Sequence, residues 1–205
     1  MSLIRGTALL GYPELVTGLG ADADLLLRAA GVPIAHVGNP EAYLGYRNLI
    51  TAVESAAKVT GTPDFGRLLA RRQGIEILGP VGAAARTAPT VAAALATVSQ
   101  YLVVYSPAIA ITLGAVDDER YTRMEFGILL DDLPDHRQTI ELSLGVALRI
   151  FRLLVALQHL VEHRQESLRI FRGERRARPG SRDVQGDERR LQRPAHVQWH
   201  PTPQI

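Results

Sequence analysis

The string His159-Leu160-Val161-Glu162-His163 holds the densest chemistry in the chain. On a helix, His residues four apart share a face. A Glu beside the second can act as base toward a metal-bound water, which is the logic of zinc peptidases with the order His-x-x-Glu-His. Such a site also needs a third protein ligand on a supporting element and a walled cleft, and the text after Arg172 offers neither. His159 and His163 therefore stand as weak metal candidates, and zinc hydrolysis through His159, Glu162 and His163 is the least of the functional readings. Gly18, Gly20 and Ala23 fit the spacing of a dinucleotide loop, yet no strand precedes them. Asp131, Asp132, Asp135 and His136 have the oxygen and nitrogen donors for a hard cation, but around Pro134 they read as a solvated turn. Glu41 and Glu54, the acids of the helix expected after Pro40, would lie about 20 Å apart along its axis, too far to work as a carboxylate pair. With no Gly-x-Ser-x-Gly elbow and scattered Ser and His, the sequence does not read as an enzyme and implies no cofactor. Tyr43 with Tyr46, and Tyr101 with Tyr105, recur at helical spacing. Such tyrosines serve cores and interfaces more often than ligands, but Tyr101 and Tyr105 rank first as ligand contacts if a pocket lies against their helix.

The elements that must position these residues belong to a chain of 205 residues, 46% hydrophobic and 21% charged, long enough to bury a substantial core. It has no cysteine, which removes disulfides, thiolate metal sites and thiol nucleophiles together. No apolar run reaches the roughly 18 residues of a membrane helix, and residues 1–16 lack the pattern of a cleaved leader, so the expected location is cytoplasmic with no membrane partner. The net charge of +2 conceals an asymmetry. Up to Val155 there are 13 Lys and Arg against 15 Asp and Glu, and beyond it 10 against 6, a body of −2 and a tail of +4. The tail is rich in Arg, Gln and His and poor in branched aliphatics, too poor to offset its ordering entropy, so residues 156–205 are expected to be a poorly ordered basic tail.

Residues 1–155 read as the folded domain. Pro13 opens a short helix, and Asp22 caps a second whose Leu25, Leu26, Leu27 and Ala30 are expected to face the core before Gly31 stops it. Asn39-Pro40 predicts the start of a helix of about five turns reaching Gly61. Thr62-Pro63 starts the next, with Phe65, Leu68 and Leu69 inside and Arg67, Arg71 and Arg72 outside. Residues 75–89 are small and Gly/Pro-marked, a tight connection or a short helix. Thr90 starts a helix with Val91, Leu95, Val98 and Leu102 on one face, closed by Ser106-Pro107. The period then drops to 2, and Ala108–Val116 and Tyr121–Leu130 flank a polar turn, a β-hairpin. Helical spacing returns from Gln138 with Leu144, Leu148, Phe151 and Val155. The predicted fold class is α+β, mainly helical with a small antiparallel β element. The two helices near Pro13 and Asp22 are not a DNA reader, because the second is Leu-rich and carries a single cation, Arg28.

Taken in order, several strings resemble the amino-terminal sensor domain of one branch of AraC-family bacterial transcription regulators. They are Asp24-Leu25-Leu26-Leu27-Arg28-Ala29-Ala30-Gly31, Thr60-Gly61-Thr62-Pro63-Asp64-Phe65-Gly66 with Arg71-Arg72-Gln73, and Leu78-Gly79-Pro80-Val81-Gly82. Further along come Ala88-Pro89-Thr90 with Ala94-Leu95, Tyr101-Leu102 with Tyr105-Ser106-Pro107-Ala108, and Glu141-Leu142. The resemblance spans about 140 residues. It implies an effector-sensing and self-associating domain, with a small molecule of unknown identity as its ligand and a homodimer, or a heterodimer with an intact regulator, as its assembly. In that family a carboxy-terminal domain of two helix-turn-helix units follows. The text after residue 155 does not carry their pattern, so a truncated or frameshifted regulator without direct DNA binding is expected. A stand-alone small-molecule or partner-binding module is the alternative.

Overall fold

In the computed structural model, which describes residues 2–116 and 121–171, the elements run β1 (Leu3–Arg5), α1 (Tyr12–Gly18), α2 (Ala23–Ala29), β2 (Tyr43–Gly45), α3 (Tyr46–Val59) and α4 (Phe65–Ala70). They continue with α5 (Pro80–Arg86), α6 (Val91–Tyr105), β3 (Ile109–Val116), β4 (Tyr121–Ile128) and α7 (Arg137–Phe171). Helices dominate, and the strands form two two-stranded antiparallel sheets, β1 with β2 and β3 with β4, an α+β fold as the sequence predicts. Local signals set many boundaries. Asp22 accepts from the Leu25 amide at 2.9 Å to cap α2, and Thr90 Oγ1 accepts from the Ala93 amide at 3.1 Å to cap α6. Gly31 leaves α2 at a φ of 70°, where any side chain would be strained.

Several expectations change on folding. The helix expected from Pro40 begins only at Tyr46 and has 14 residues, about four turns. Asn39 Oδ1 does accept a main-chain bond, from Glu41, but that bond closes a turn. Residues 43–45 then extend because Leu3–Arg5 offers them a ladder, with Ile4 opposite Leu44. Leu25, expected in the core, is 59% exposed, while Leu26, Leu27 and Ala30 are buried. A run of three leucines covers more of the helix circumference than α2 has partners for. On α7 the buried stripe is Leu142, Val146, Ile150 and Leu154 rather than Leu144, Leu148, Phe151 and Val155, and Leu148 is 45% exposed. That helix is apolar on more than one face, so periodicity leaves the inward face open and contact with α4 and α6 decides it.

The crossing of α4 with α7 depends on small residues. A Cβ on Gly66 would lie 2.0 Å from the Gln138 carbonyl oxygen, and one on Gly145 would lie 2.6 Å from Ala70 Cβ. Around this crossing Tyr12 and Phe65 meet edge to face, with centroids 5.8 Å apart and an interplanar angle of 71°. The buried Tyr12 hydroxyl donates to the Ala52 carbonyl at 3.0 Å. The boundary expected after Val155 falls inside α7, which runs on to Phe171, and Gln158 Oε1 accepts from the Val91 amide at 2.9 Å. The basic segment 172–205 lies outside the described residues. Among the described residues no helix is long and apolar enough to cross a membrane.

Candidate ligand-binding cavity

Where α6, α7 and the β3–β4 hairpin meet the amino-terminal segment, they border a partly open cavity of about 80 Å³. Its inner wall comes from α7 through Leu142, Val146 and Ile150 at i, i+4 and i+8, one stripe of the helix. Val98, Leu102 and Tyr105 supply the α6 side, also one stripe. The outer wall is one face of the hairpin, where Ile111 pairs directly with Phe126 and Ile109 precedes Ile111 by two positions. A two-stranded hairpin is marginal by itself. Here Ser99 Oγ on α6 donates to the Ile111 carbonyl and ties the hairpin to the helices, and the Leu129 amide, donating to the Ala108 carbonyl at 2.7 Å, extends the hairpin's own ladder by one pair.

The walls contain no Asp, Glu, Lys, Arg or His. Their polar members are Gln73, Tyr46, Tyr105, Thr139 and Ser143. Several of these are committed elsewhere. Ser143 Oγ donates to the Thr139 carbonyl at 2.9 Å, and Thr139 is held at the start of α7 by Glu54, whose Oε1 accepts from the Thr139 amide at 3.1 Å. Burial raises the Glu54 carboxyl above its ordinary range, with the bonds from Thr139 and Gln138 pulling the other way. Burial pushes the phenols of Tyr46 and Tyr105 far up, so both stay neutral; Ser143 pulls Tyr46 slightly back, and Tyr46 adds to the rise at Tyr105.

Gln73 is 1% exposed and is fastened at both ends. Its Nε2 donates to the carbonyls of Ala8 at 2.9 Å and Leu10 at 3.0 Å, and its own carbonyl accepts from Arg149 Nε at 2.7 Å. Its Oε1 is buried with no hydrogen-bond partner.

Of the residues singled out in the sequence, Tyr105 lines this cavity and is 5% exposed, whereas Tyr101, one turn earlier on α6, is 49% exposed and outside it. His159, Glu162 and His163 sit on the exposed outer side of α7; His159 Nδ1 lies 3.8 Å from Glu162 Oε2, and Gln158 Nε2 donates to Glu162 Oε1 at 2.8 Å. Among the described residues no group of three or more His, Asp and Glu stands close enough to hold a metal. The acidic turn is used structurally. The carbonyls of Asp131 and Asp132 accept from the Arg47 guanidinium, and Asp135 Oδ1 accepts from the Arg137 amide at 3.3 Å. Gln73 has no signal in the sequence beyond its place in the Arg71-Arg72-Gln73 string, because a glutamine's burial leaves no periodic trace. A second recess, of about 420 Å³ along α5 between Glu76 and Arg86, is larger and more open.

An uncharged, apolar cavity between two helices and a hairpin is a place where a small molecule could be held. The chain matches the family described as the arabinose-binding domain of AraC transcription regulator, N-term, over residues 20–164, and it belongs to that family. It is similar to the HTH-type transcriptional regulator VirS of Mycobacterium tuberculosis, in strains CDC 1551 / Oshkosh and H37Rv, with 37% identity over 153 residues in each case. That match covers 75% of this chain and 45% of VirS, so the chain spans less than half the length of these relatives.

Proposed function

We propose that this chain is the effector-sensing and dimerising part of a cytoplasmic AraC-type transcription regulator, and that its effector occupies the cavity beneath the β3–β4 hairpin. The observation that supports this reading is the uncharged apolar space at the junction of α6, α7 and the hairpin, in a chain of this family. The cavity is about half the size of the roughly 150 Å³ engineered cavity that takes up benzene, so most effectors would have to press one wall outward. The hairpin is the wall made of two strands alone, with α6 behind it. Ligand uptake would thus favour a displaced hairpin over the closed one, and α7, which forms the opposite wall, would carry that preference toward whatever is attached. Binding without chemical change of the ligand is enough for this role. Self-association would use surfaces outside the cavity, where α7 leaves Leu160 and Val161 exposed.

The test is a thermal-shift screen of the chain against a library of small molecules of mixed charge and polarity, with Ala147→Leu and Val98→Phe run in parallel. Both positions line the cavity, and both variants fill it. A saturable hit lost in whichever variant keeps its helical circular dichroism is the expected result. Hits unaffected by either folded variant would refute the cavity as the sensor.

A further inference from the structure

We propose that β4 is a contact surface for a second copy of this chain: its free edge pairs antiparallel with β4 of that copy, joining two hairpins into one four-stranded sheet. This rests on the reading above that the chain self-associates, and it gives that contact a main-chain component besides the exposed α7 residues. In an antiparallel ladder, successive residues turn their amide and carbonyl alternately toward the paired strand and away from it. The Leu129 amide donates to the Ala108 carbonyl, which fixes the phase. Arg123, Glu125 and Gly127 then face β3, while Thr122, Met124, Phe126 and Ile128 turn their main-chain groups to the other side. Among the described residues no hydrogen bond reaches those outward groups, and β4 pairs with β3 alone. The outer edge of β3 differs, because Ser99 on α6 donates to the outward Ile111 carbonyl there. The β4 edge is also unprotected. It is 8 residues long, pairs with β3 without a bulge, and holds neither Pro nor Lys, the devices that keep a free edge from pairing.

The charges on β4 identify the occupant. Arg123 and Glu125 alternate with the cavity-lining Phe126, so they stand on the opposite face of the strand, 51% and 44% exposed, with Arg123 Nε 3.1 Å from Glu125 Oε1. They flank Met124. A twofold axis at Met124 therefore sets Arg123 of each copy directly opposite Glu125 of the other. The same axis brings the outward main-chain groups of Met124 onto those of Met124 in the second copy, and those of Thr122 onto Phe126, so backbone pairing and charge agree in one register. Moving the axis by one residue puts Arg123 opposite Arg123, or Glu125 opposite Glu125, and like charges directly opposite are destabilising. The assembly also closes at two copies. Its outer edges would be the two β3 strands, each already engaged by Ser99 of α6, which leaves no second β4 edge to extend a fibre. Because each hairpin is a wall of its own cavity, the shared sheet couples the two cavities: a hairpin displaced in one copy would pull on the hairpin of the other.

The experiment is sedimentation equilibrium of the full chain at pH 7, in wild type, Arg123→Glu, Glu125→Arg, Met124→Pro and an equimolar mixture of the two charge variants. In a homodimer Arg123→Glu sets acid against acid, and Glu125→Arg sets base against base. In the mixed dimer each acid again meets a base. Each charge variant alone is expected to dimerise about tenfold more weakly than wild type, and the mixture to recover to within about threefold of it. Repair inside one chain cannot explain that recovery, since each chain of the mixture still lacks its own Arg123–Glu125 pair. Met124→Pro removes an outward amide that β3 does not use, so it is expected to abolish the dimer and keep the helical circular dichroism. If Met124→Pro fails to fold, the mixture decides alone. Wild-type dimer affinity in the charge variants or in a folded Met124→Pro chain, or a mixture no tighter than its components, overturns the edge pairing and leaves self-association standing. A wild-type chain that stays monomeric at about 0.1 mM removes both.

Discussion

Gly66→Ala tests whether α4 and α7 cross as closely as described. The added carbon would lie 2.0 Å from the Gln138 carbonyl oxygen, 2.9 Å from its carbon and 3.0 Å from the Leu142 nitrogen. All three are main-chain atoms of α7, so no side-chain rotation can relieve the clash, and one helix must move by about 1 Å. Overpacking of this kind costs about 1–3 kcal/mol. The same movement weakens the bond from the Gly66 amide to Gln138 Oε1, 3.0 Å long and buried, adding about 0.5–1.5 kcal/mol. Alanine's better helix propensity returns about 0.5–1 kcal/mol. The net loss is about 2 kcal/mol, which for a chain of this size lowers Tm by about 4–8 °C. Urea unfolding followed by circular dichroism, with m unchanged, reads it directly. Gly18→Ala is the control with opposite sign, since Gly18 lies in α1 with nothing within 4 Å of its Cβ position, and it should be neutral or stabilising by a few tenths of a kcal/mol. A Gly66→Ala chain with the wild-type midpoint would refute the close crossing and the outward placement of Leu148 that follows from it.

At Glu54 the raised carboxyl pKa means that the folded state holds its proton more tightly than the unfolded one. Its contribution to stability is fully present below the unfolded value and is lost as pH rises from the ordinary carboxylate range through the raised folded value. Glu54→Gln, which keeps an acceptor for the Thr139 amide, should flatten that part of the pH–stability curve and match or exceed wild type at pH 7; a chain less stable by more than about 1 kcal/mol there would show that the charge helps. Tyr105→Ala should cost about 3–5 kcal/mol by emptying a core site, whereas Tyr101→Ala, at an exposed position, should stay within about 0.5 kcal/mol and leave binding of a hit from the small-molecule screen unchanged; a loss of binding in Tyr101→Ala would return that residue to the site.

Much of this protein was legible in its sequence because the deciding partners are a few residues apart. Asp22 and Thr90 reach amides three positions on, and the period-2 text on either side of residues 117–120 forms β3 and β4 where expected. The α+β class and the family resemblance followed from the same local strings. Tyr101 and Tyr105 were indistinguishable in the sequence until α6 was docked and only the face that carries Tyr105 became interior. What only the tertiary structure decided involves partners far apart in the chain. Gln138 caps α4 from 72 residues away, Gln158 caps α6 from 67, and Glu54 caps α7 from 85. β2 is a strand because β1 lies beside it, and the buried face of α7 is the one that Gly66, Ala70 and the cavity leave room for. The unpaired oxygen of Gln73 belongs with these, since its amide is satisfied by carbonyls 63 and 65 residues away. A short sequence window reports propensity and period within a turn or two. It cannot report the desolvation of a polar group, which depends on every element that folds over it.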